Sequence, residues 1–262
     1  GKLLSVTDTK KTDGIYLHLC SVANGVFSVG DTVTAEIEAM RRAAIKRNHS
    51  AAHLLQAALR TVLGEHVEQA GSYVSNKVCR FDFSHFQALT GEEIEKVEGL
   101  VNAHILLASP IVTKETDIET AKREGAMALF GEKYGKTVRM VKMGNFSTEL
   151  CGGTHCSNTG EIGLFKITSE TSVAAGVRRI EAITGKEVES MLDTMQDLMT
   201  DLKGLLNNAP DLMATIQKAI AENKELQAQV DEFKAQKAME FKKTLIEKAQ
   251  DINGVKVIMG VL

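Results

Sequence analysis

No apolar run in this sequence approaches the ~18 residues that a helix needs to cross a membrane, so no membrane association is expected. The opening residues, GKLLSVTDTKKTDG, lack the apolar stretch of a secretory signal peptide, and the cytoplasm is the expected compartment. Cysteine is scarce: Cys20, Cys79, Cys151 and Cys156 are the four in 262 residues. Without a sign of secretion, such a chain is expected to use its thiols free or as metal ligands rather than in disulfides. The NHS and NFS sequons are discounted for the same reason. Charge of one sign is also lacking. Lys and Arg number 31 against 34 Asp and Glu, a net charge of -3, which excludes a globally basic nucleic-acid binder but leaves room for local patches. Internal repeats, low-complexity tracts and any ATP-binding or aminoacylation signature are absent. What is there is ordinary for a globular protein, with 44% apolar residues and enough length for more than one packing unit.

Residues 1–40 read as strands and turns. Ile15, Leu17 and Leu19 alternate with Tyr16, His18 and Cys20, and Val33, Ala35 and Ile37 alternate with Thr34, Glu36 and Glu38. Period-two alternation buries one face and wets the other. With turns at Asn24-Gly25 and Gly30-Asp31, it predicts a small sheet or barrel. Residues 41–185 mix helices with short β-like runs, the α+β pattern. Helices are predicted over 44–63, stopped by Gly64, over 91–109, ending before Pro110, and over 117–130 with Asp117 as N-cap. Strands are predicted over 78–83, 111–116, 137–143, 163–173 and 176–185. Residues 186–250 change character. Val188, Met191, Met195, Leu198, Leu202 and Leu205 follow an alternating three-four spacing that NNAP (207–210) interrupts. It resumes with Ile216, Ile220, Leu226, Val230, Phe233 and Phe241. A heptad-like stripe on two helices joined by a turn predicts an antiparallel helical hairpin. The strand-like end GVKVIMGVL makes 251–262 the truncated start of a further, C-terminal domain.

The chemistry centres on RNHSAAHLLQAAL (47–59), where His49 and His53 stand four apart. On a helix that spacing leaves only ~40° between them, so two imidazoles one turn apart can reach one ion. Taken alone, the pair is ordinary. Far downstream, in ELCGGTHCSNTG (149–160), Cys151 and His155 repeat the spacing on a turn that Gly152 and Gly153 allow to fold back. Three nitrogens and one sulfur are a sensible tetrahedral Zn²⁺ set. Cys156 is the alternative thiol, and Cys151 is preferred for its matched spacing. Cys20 and Cys79 lack a partner pattern and read as buried thiols. A zincin-type protease needs a glutamate after the first histidine, where this chain has Ser50. Two basic clusters remain, Arg41, Arg42, Lys46 and Arg47 in one and Arg178 and Arg179 in the other. Each by itself is ordinary solvated charge.

RRAAIKRNHSAAHLLQAAL, HVEQAGSYV, RFDF, GNFSTELCGGTHCSNTGEIG and AAGVRRIEAITG together resemble, in order and approximate separation, the editing domain of the alanyl-tRNA synthetase family. GVFSVGDTVTAEI resembles the small barrel that precedes that domain, and the helical hairpin resembles the linker that follows it. The resemblance implies a small β-barrel over 1–40, an editing domain over 41–185 and a hairpin over 186–250. It further implies hydrolysis of tRNA(Ala) mischarged with serine or glycine, with His49, His53, Cys151 and His155 binding zinc. Gln69, in HVEQAGS, is similar to the family glutamine that lines the editing pocket. Ala52 stands where the family usually has threonine, which removes a hydroxyl suited to a serine substrate, and Cys156 stands where an apolar residue is more usual.

A bound zinc polarises the ester carbonyl or lowers the pKa of a bound water to ~7, and a catalytic zinc usually keeps one position open. Two readings of a four-ligand set therefore stand. In one, Cys151 is displaced or joined by water or substrate. In the other, a closed zinc shapes the pocket while Gln69 and backbone groups hold the water. Gln69 and Ser50 are the candidates for recognising a serine hydroxyl. The acceptor end of tRNA(Ala) needs phosphate contacts, expected from Arg41, Arg42, Lys46, Arg47, Arg178 and Arg179, with Lys10 and Lys11 next. An internal ion pair is the alternative for the last two arginines. The competing readings are a threonyl-tRNA synthetase-type editing domain, a non-catalytic zinc-stabilised tRNA-binding module and a free-standing deacylase. A homodimer through the hairpin stripe or the missing C-terminal domain is compatible with the pattern.

Overall fold

The computed structural model describes residues 1–127 and 135–258. The chain divides into two compact units, Gly1–Thr184 and Gly185–Leu262.

The first unit begins with a two-stranded antiparallel ribbon, β1 (Leu3–Thr12) and β2 (Ile15–Asn24). Asp13 and Gly14, both at positive φ, make its turn. The expected barrel is corrected here. These strands pair only with each other, and 25–38 contributes no strand, so among the described residues no barrel closes. Alternation equips a segment to pair but supplies no neighbour to pair with, and Val6 and Leu17 stay 57% and 51% exposed. Cys20 lies on this ribbon and is exposed, not a buried thiol.

Helix α1 (Ala39–Leu63) starts earlier than its apolar stripe, since nothing in 39–43 breaks a helix. Gly64, at φ 116°, ends it as expected and donates its N–H to Arg60 O. From Asn48 to Leu59 nearly every side chain is buried, polar ones included. Each buried polar group there must find a partner, and the search for those partners defines the site.

Strands β3 (Gln69–Val74) and β4 (Cys79–Ser84) follow, then α2 (Gly91–Leu106). A reciprocal capping box between Thr90 and Glu93 starts α2. Next come β5 (Ile111–Asp117) and α3 (Ile118–Arg123), with Asp117 capping as expected by accepting from the Thr120 N–H. The predicted helix over 117–130 ends much earlier, and 128–130 lie outside the described residues. Strands β6 (Thr137–Met143) and β7 (Ser147–Leu150), a 3-10 turn at Thr159–Ile162, β8 (Phe165–Ala174) and β9 (Val177–Thr184) complete the unit.

Among the described residues these strands pair antiparallel, in one sheet ordered β3-β4-β9-β8 and another ordered β5-β6-β7. Period-two alternation turns Cys79, Phe81 and Phe83 of β4 inward. Phe81 and Phe83 meet Leu54, Leu55 and Leu59 of α1, Val97 and Val101 of α2, and Phe165 and Ile180 in one core. Truncating any of these large side chains to alanine costs about 2–5 kcal/mol. The mixed helix and sheet architecture agrees with the α+β expectation.

The second unit contains α4 (Lys186–Leu205), α5 (Leu212–Glu247) and the short antiparallel pair β10 (Gln250–Ile252) and β11 (Val255–Val257). Asp211 caps α5 by accepting from the Ala214 N–H. The predicted antiparallel hairpin is seen as two successive helices. Leu192, Met195 and Leu198 of α4 and Ile220, Leu226, Val230 and Phe233 of α5 are 46–64% exposed, so the stripes are not buried on one another. A heptad stripe demands burial against a helix without specifying which helix. The predicted terminal strand over 254–262 is seen only as Val255–Val257, and 259–262 lie outside the described residues. Among the described residues no helix is long and apolar enough to cross a membrane.

Candidate metal centre

Two elements build the site. The buried part of α1 carries His49 and His53, and the turn leaving β7 carries Cys151 and His155. One ligand atom from each of the four lies within 4.8 Å of the others. The turn is held at both ends. The Cys151 N–H donates to Arg139 O at 2.9 Å, and the Arg139 guanidinium donates back to the carbonyls of Cys151 and Gly153. Gly153 is needed for steric reasons, because a Cβ built there comes within 2.1 Å of the His49 ring. Gly152 has open space at the same test, so only one of the two glycines carries the close approach.

Every imidazole has its Nδ1 engaged away from the cluster. His53 Nδ1 lies 2.5 Å from Glu149 Oε2, His155 Nδ1 3.3 Å from Ser50 Oγ, and His49 Nδ1 3.3 Å from Thr154 O. The Nε2 atoms are thereby left for the interior. Those of His49 and His155 lie 3.5 and 3.4 Å from Cys151 Sγ. Tetrahedral zinc with bonds of 2.3 Å to sulfur and 2.0–2.1 Å to nitrogen needs an S···N edge of about 3.6 Å, so the spacing fits. His53 Nε2 is buried with no partner. An orphaned imidazole nitrogen beside a thiolate is what a missing cation would satisfy.

The electrostatics favour a thiolate. Burial opposes ionisation of Cys151, but the His155, His49 and His53 imidazoles overcome it and bring the thiol down to about 3. Burial also opposes protonation of His53, yet the Glu149 carboxylate and the Cys151 thiolate raise it to about 10. For His155, burial dominates and lowers the pKa. Cys156 is not in the cluster. It is buried in the core, its N–H donates to Ser50 Oγ at 3.1 Å, and burial raises its thiol.

A cavity of about 120 Å³ opens beside the cluster. His49, His53 and Cys151 form one part of its wall, and Gln56, Gln69, Ser72 and Glu149 give it polar groups. Gln69 arrives from the start of β3, placed there by a bulge between Gln69 and Gly71. Ser50 and Ala52 are buried and do not line this space. Ser50 instead holds His155.

The basic residues divide into two groups. Arg42, Lys46 and Arg47 line a second cavity of about 460 Å³ together with Cys156 and Glu161, and Arg41 is exposed nearby on α1. Arg178 and Arg179 are held differently. Arg178 Nη2 donates to Glu170 at 2.6 Å, and Arg179 grips both oxygens of Asp82 at 2.7 Å.

Sequence reasoning missed Glu149, Gln56, Ser72 and Arg139. Gln56 carried a signal, standing seven residues after His49 and three after His53 on one helix face. Arg139 carried none, since its role consists of backbone carbonyls a dozen residues away.

Residues 138–181 match the family described as the threonyl and alanyl tRNA synthetase second additional domain. Over 256 residues the chain is 52% identical to proteins named alanine--tRNA ligase from two strains of Bacteroides fragilis, YCH46 and ATCC 25285. Each alignment covers 97% of this chain and 29% of the relative, so the chain spans less than a third of the length of the curated relatives it matches.

Proposed function

We propose that this chain, a homologue of a segment of alanine--tRNA ligase, is an editing portion that hydrolyses the ester of tRNA(Ala) mischarged with serine or glycine. The observation that carries this reading is the three-histidine, one-thiolate cluster, with His49, His53 and Cys151 of it in the wall of a small polar cavity. On this reading 41–185 is the editing domain and 186–250 the linker, in a cytoplasmic enzyme.

Zinc is the metal the donor set suits, and when bound it supplies Lewis acidity toward an ester carbonyl or a water. The chain's own residues do the rest. Glu149 and Ser50 orient His53 and His155 by their Nδ1 atoms. Gln69 offers its amide from the cavity wall to hold the attacking water. The cavity is small, about 120 Å³, which suits a seryl or glycyl group. Alanine also fits by size, so polar groups must reject it. The acceptor-end phosphates fall to Arg41, Arg42, Lys46 and Arg47, whereas Arg178 and Arg179 already have carboxylate partners.

Deacylation of Ser-tRNA(Ala) by the wild type and by Cys151→Ala, beside a zinc assay, tests the proposal. We expect hydrolysis by the wild type, and loss of zinc and activity together in the variant. Zinc and tRNA binding without hydrolysis would leave a non-catalytic binding module. Preference for mischarged tRNA(Thr) would identify a threonyl-type editor.

A further inference from the structure

Gln56 is 4% exposed, yet its Oε1 has no hydrogen-bond partner. Its Nε2 reaches only the Met127 sulfur, at 3.8 Å. The side chain lines the cavity beside the metal cluster. Helical geometry explains the placement: residues 49, 53 and 56 fall within ~60° of one another around α1. The other polar groups on this buried stretch are satisfied. Asn48 donates to Ser75 O and accepts from Thr184, and Ser50 meets Cys156 and His155. His53 Nε2 awaits the metal. Among the described residues, Gln56 Oε1 is the acceptor on this stretch that meets no donor, and it has no role toward the cation.

We propose that Gln56 is a specificity-determining residue for the aminoacyl group, its Oε1 accepting the side-chain hydroxyl of a bound seryl ester. This rests on the editing function proposed above. A buried acceptor left unpaired penalises any occupant that fills the space without a donor. Serine brings the donor on its own Cβ. Glycine leaves room for a water to donate instead. The alanyl methyl group occupies the space and donates nothing. One amide therefore separates the two wrong esters from the correct one, where size alone cannot. It also gives the site a serine-sensing group without the hydroxyl that Ala52 lacks, since position 52 does not line the cavity.

Gln56→Met keeps the length and bulk of the side chain and removes the acceptor. Two measurements test it, both on zinc-loaded protein with metal content and melting temperature recorded. The first compares kcat/KM for deacylation of Ser-tRNA(Ala) and Ala-tRNA(Ala). The expected result is a fall in the serine-over-alanine ratio of tenfold or more, with zinc content unchanged. Equal losses on both esters, or an unchanged ratio, would overturn the proposal. The second measures binding of nonhydrolysable seryl- and alanyl-adenosine analogues by calorimetry. Wild type should prefer the seryl analogue and the variant should not. If wild type cleaves neither ester but this preference still disappears in the variant, the hydrolytic reading fails and Gln56 keeps its role. If the preference persists in the variant, Gln56 is not the sensor.

Discussion

Glu149 Oε2 lies 2.5 Å from His53 Nδ1, and Ser147 Oγ donates to the other carboxylate oxygen at 3.0 Å. Both oxygens of this buried carboxylate are thus committed. Its charge holds a proton on His53 Nδ1 and leaves Nε2 on the side of the cluster. Such partners of metal-binding histidines typically hold about 10–100-fold of the metal affinity. Glu149→Gln should weaken zinc binding by that factor in a competition titration against a chelator, with the far-UV circular dichroism unchanged. An unaltered affinity would show that the imidazole is aimed by packing alone.

Gly153→Ala makes the complementary test from the other side of the cluster. The added methyl group collides with the His49 ring, so the ring or the turn must shift. The expected outcome is loss of one nitrogen ligand, visible as a changed visible spectrum in the cobalt-substituted protein. Gly152→Ala meets open space and should leave that spectrum alone.

Metal removal should lower stability by mass action. A ligand at 100 times its Kd stabilises the folded state by about 2.7 kcal/mol, which for a chain of this size corresponds to a Tm shift of about 5–10 °C. Adding a chelator should abolish this increment in the wild type. Cys151→Ala should show a smaller increment or none. Equal Tm values with and without zinc in the wild type would argue against a resident ion.

The thiols should react unequally. Burial pushes Cys79 up to about 12, so at pH 8 only about one molecule in ten thousand carries its thiolate, the reactive form. Cys20 is exposed. Alkylation at pH 8 followed by mass mapping should label Cys20 and spare Cys79, and zinc should protect Cys151. Rapid labelling of Cys79 would mean that the sheet opens locally.

Arg178 and Arg179 offer a contrast with the α1 cluster. With both guanidiniums on carboxylates, Arg178→Ala should lower Tm by stranding Glu170, and Arg178→Ala with Glu170→Ala should recover part of the loss. Neither should change the salt dependence of tRNA binding. Lys46→Ala should reduce that slope by about one phosphate contact. The reverse pattern would move the tRNA path to β9.

Much of the site was legible because its halves are local. The 49/53 spacing and the 151/155 spacing each announce a pair of donors, and Gly64 and Asp117 announced where α1 stops and α3 starts. The start of α1 and the end of α3 were less legible, because propensity extends a helix wherever nothing breaks it and Gly125 follows soon after α3. The barrel was misread for a different reason, and the partner of the helical stripes was not legible at all. Alternation and heptads describe a face that requires burial, and which surface covers it is a property of the assembled chain.

The sequence by itself determined the donors, their chemistry and the helix face that carries three of the cavity residues. These follow from contacts within a turn or two of the chain. Only the tertiary structure decided that Glu149 holds His53 across 96 residues, that Ser50 holds His155 across 105, and that Gln56 is left without a partner. Those facts depend on where distant segments return, and no local period encodes the return.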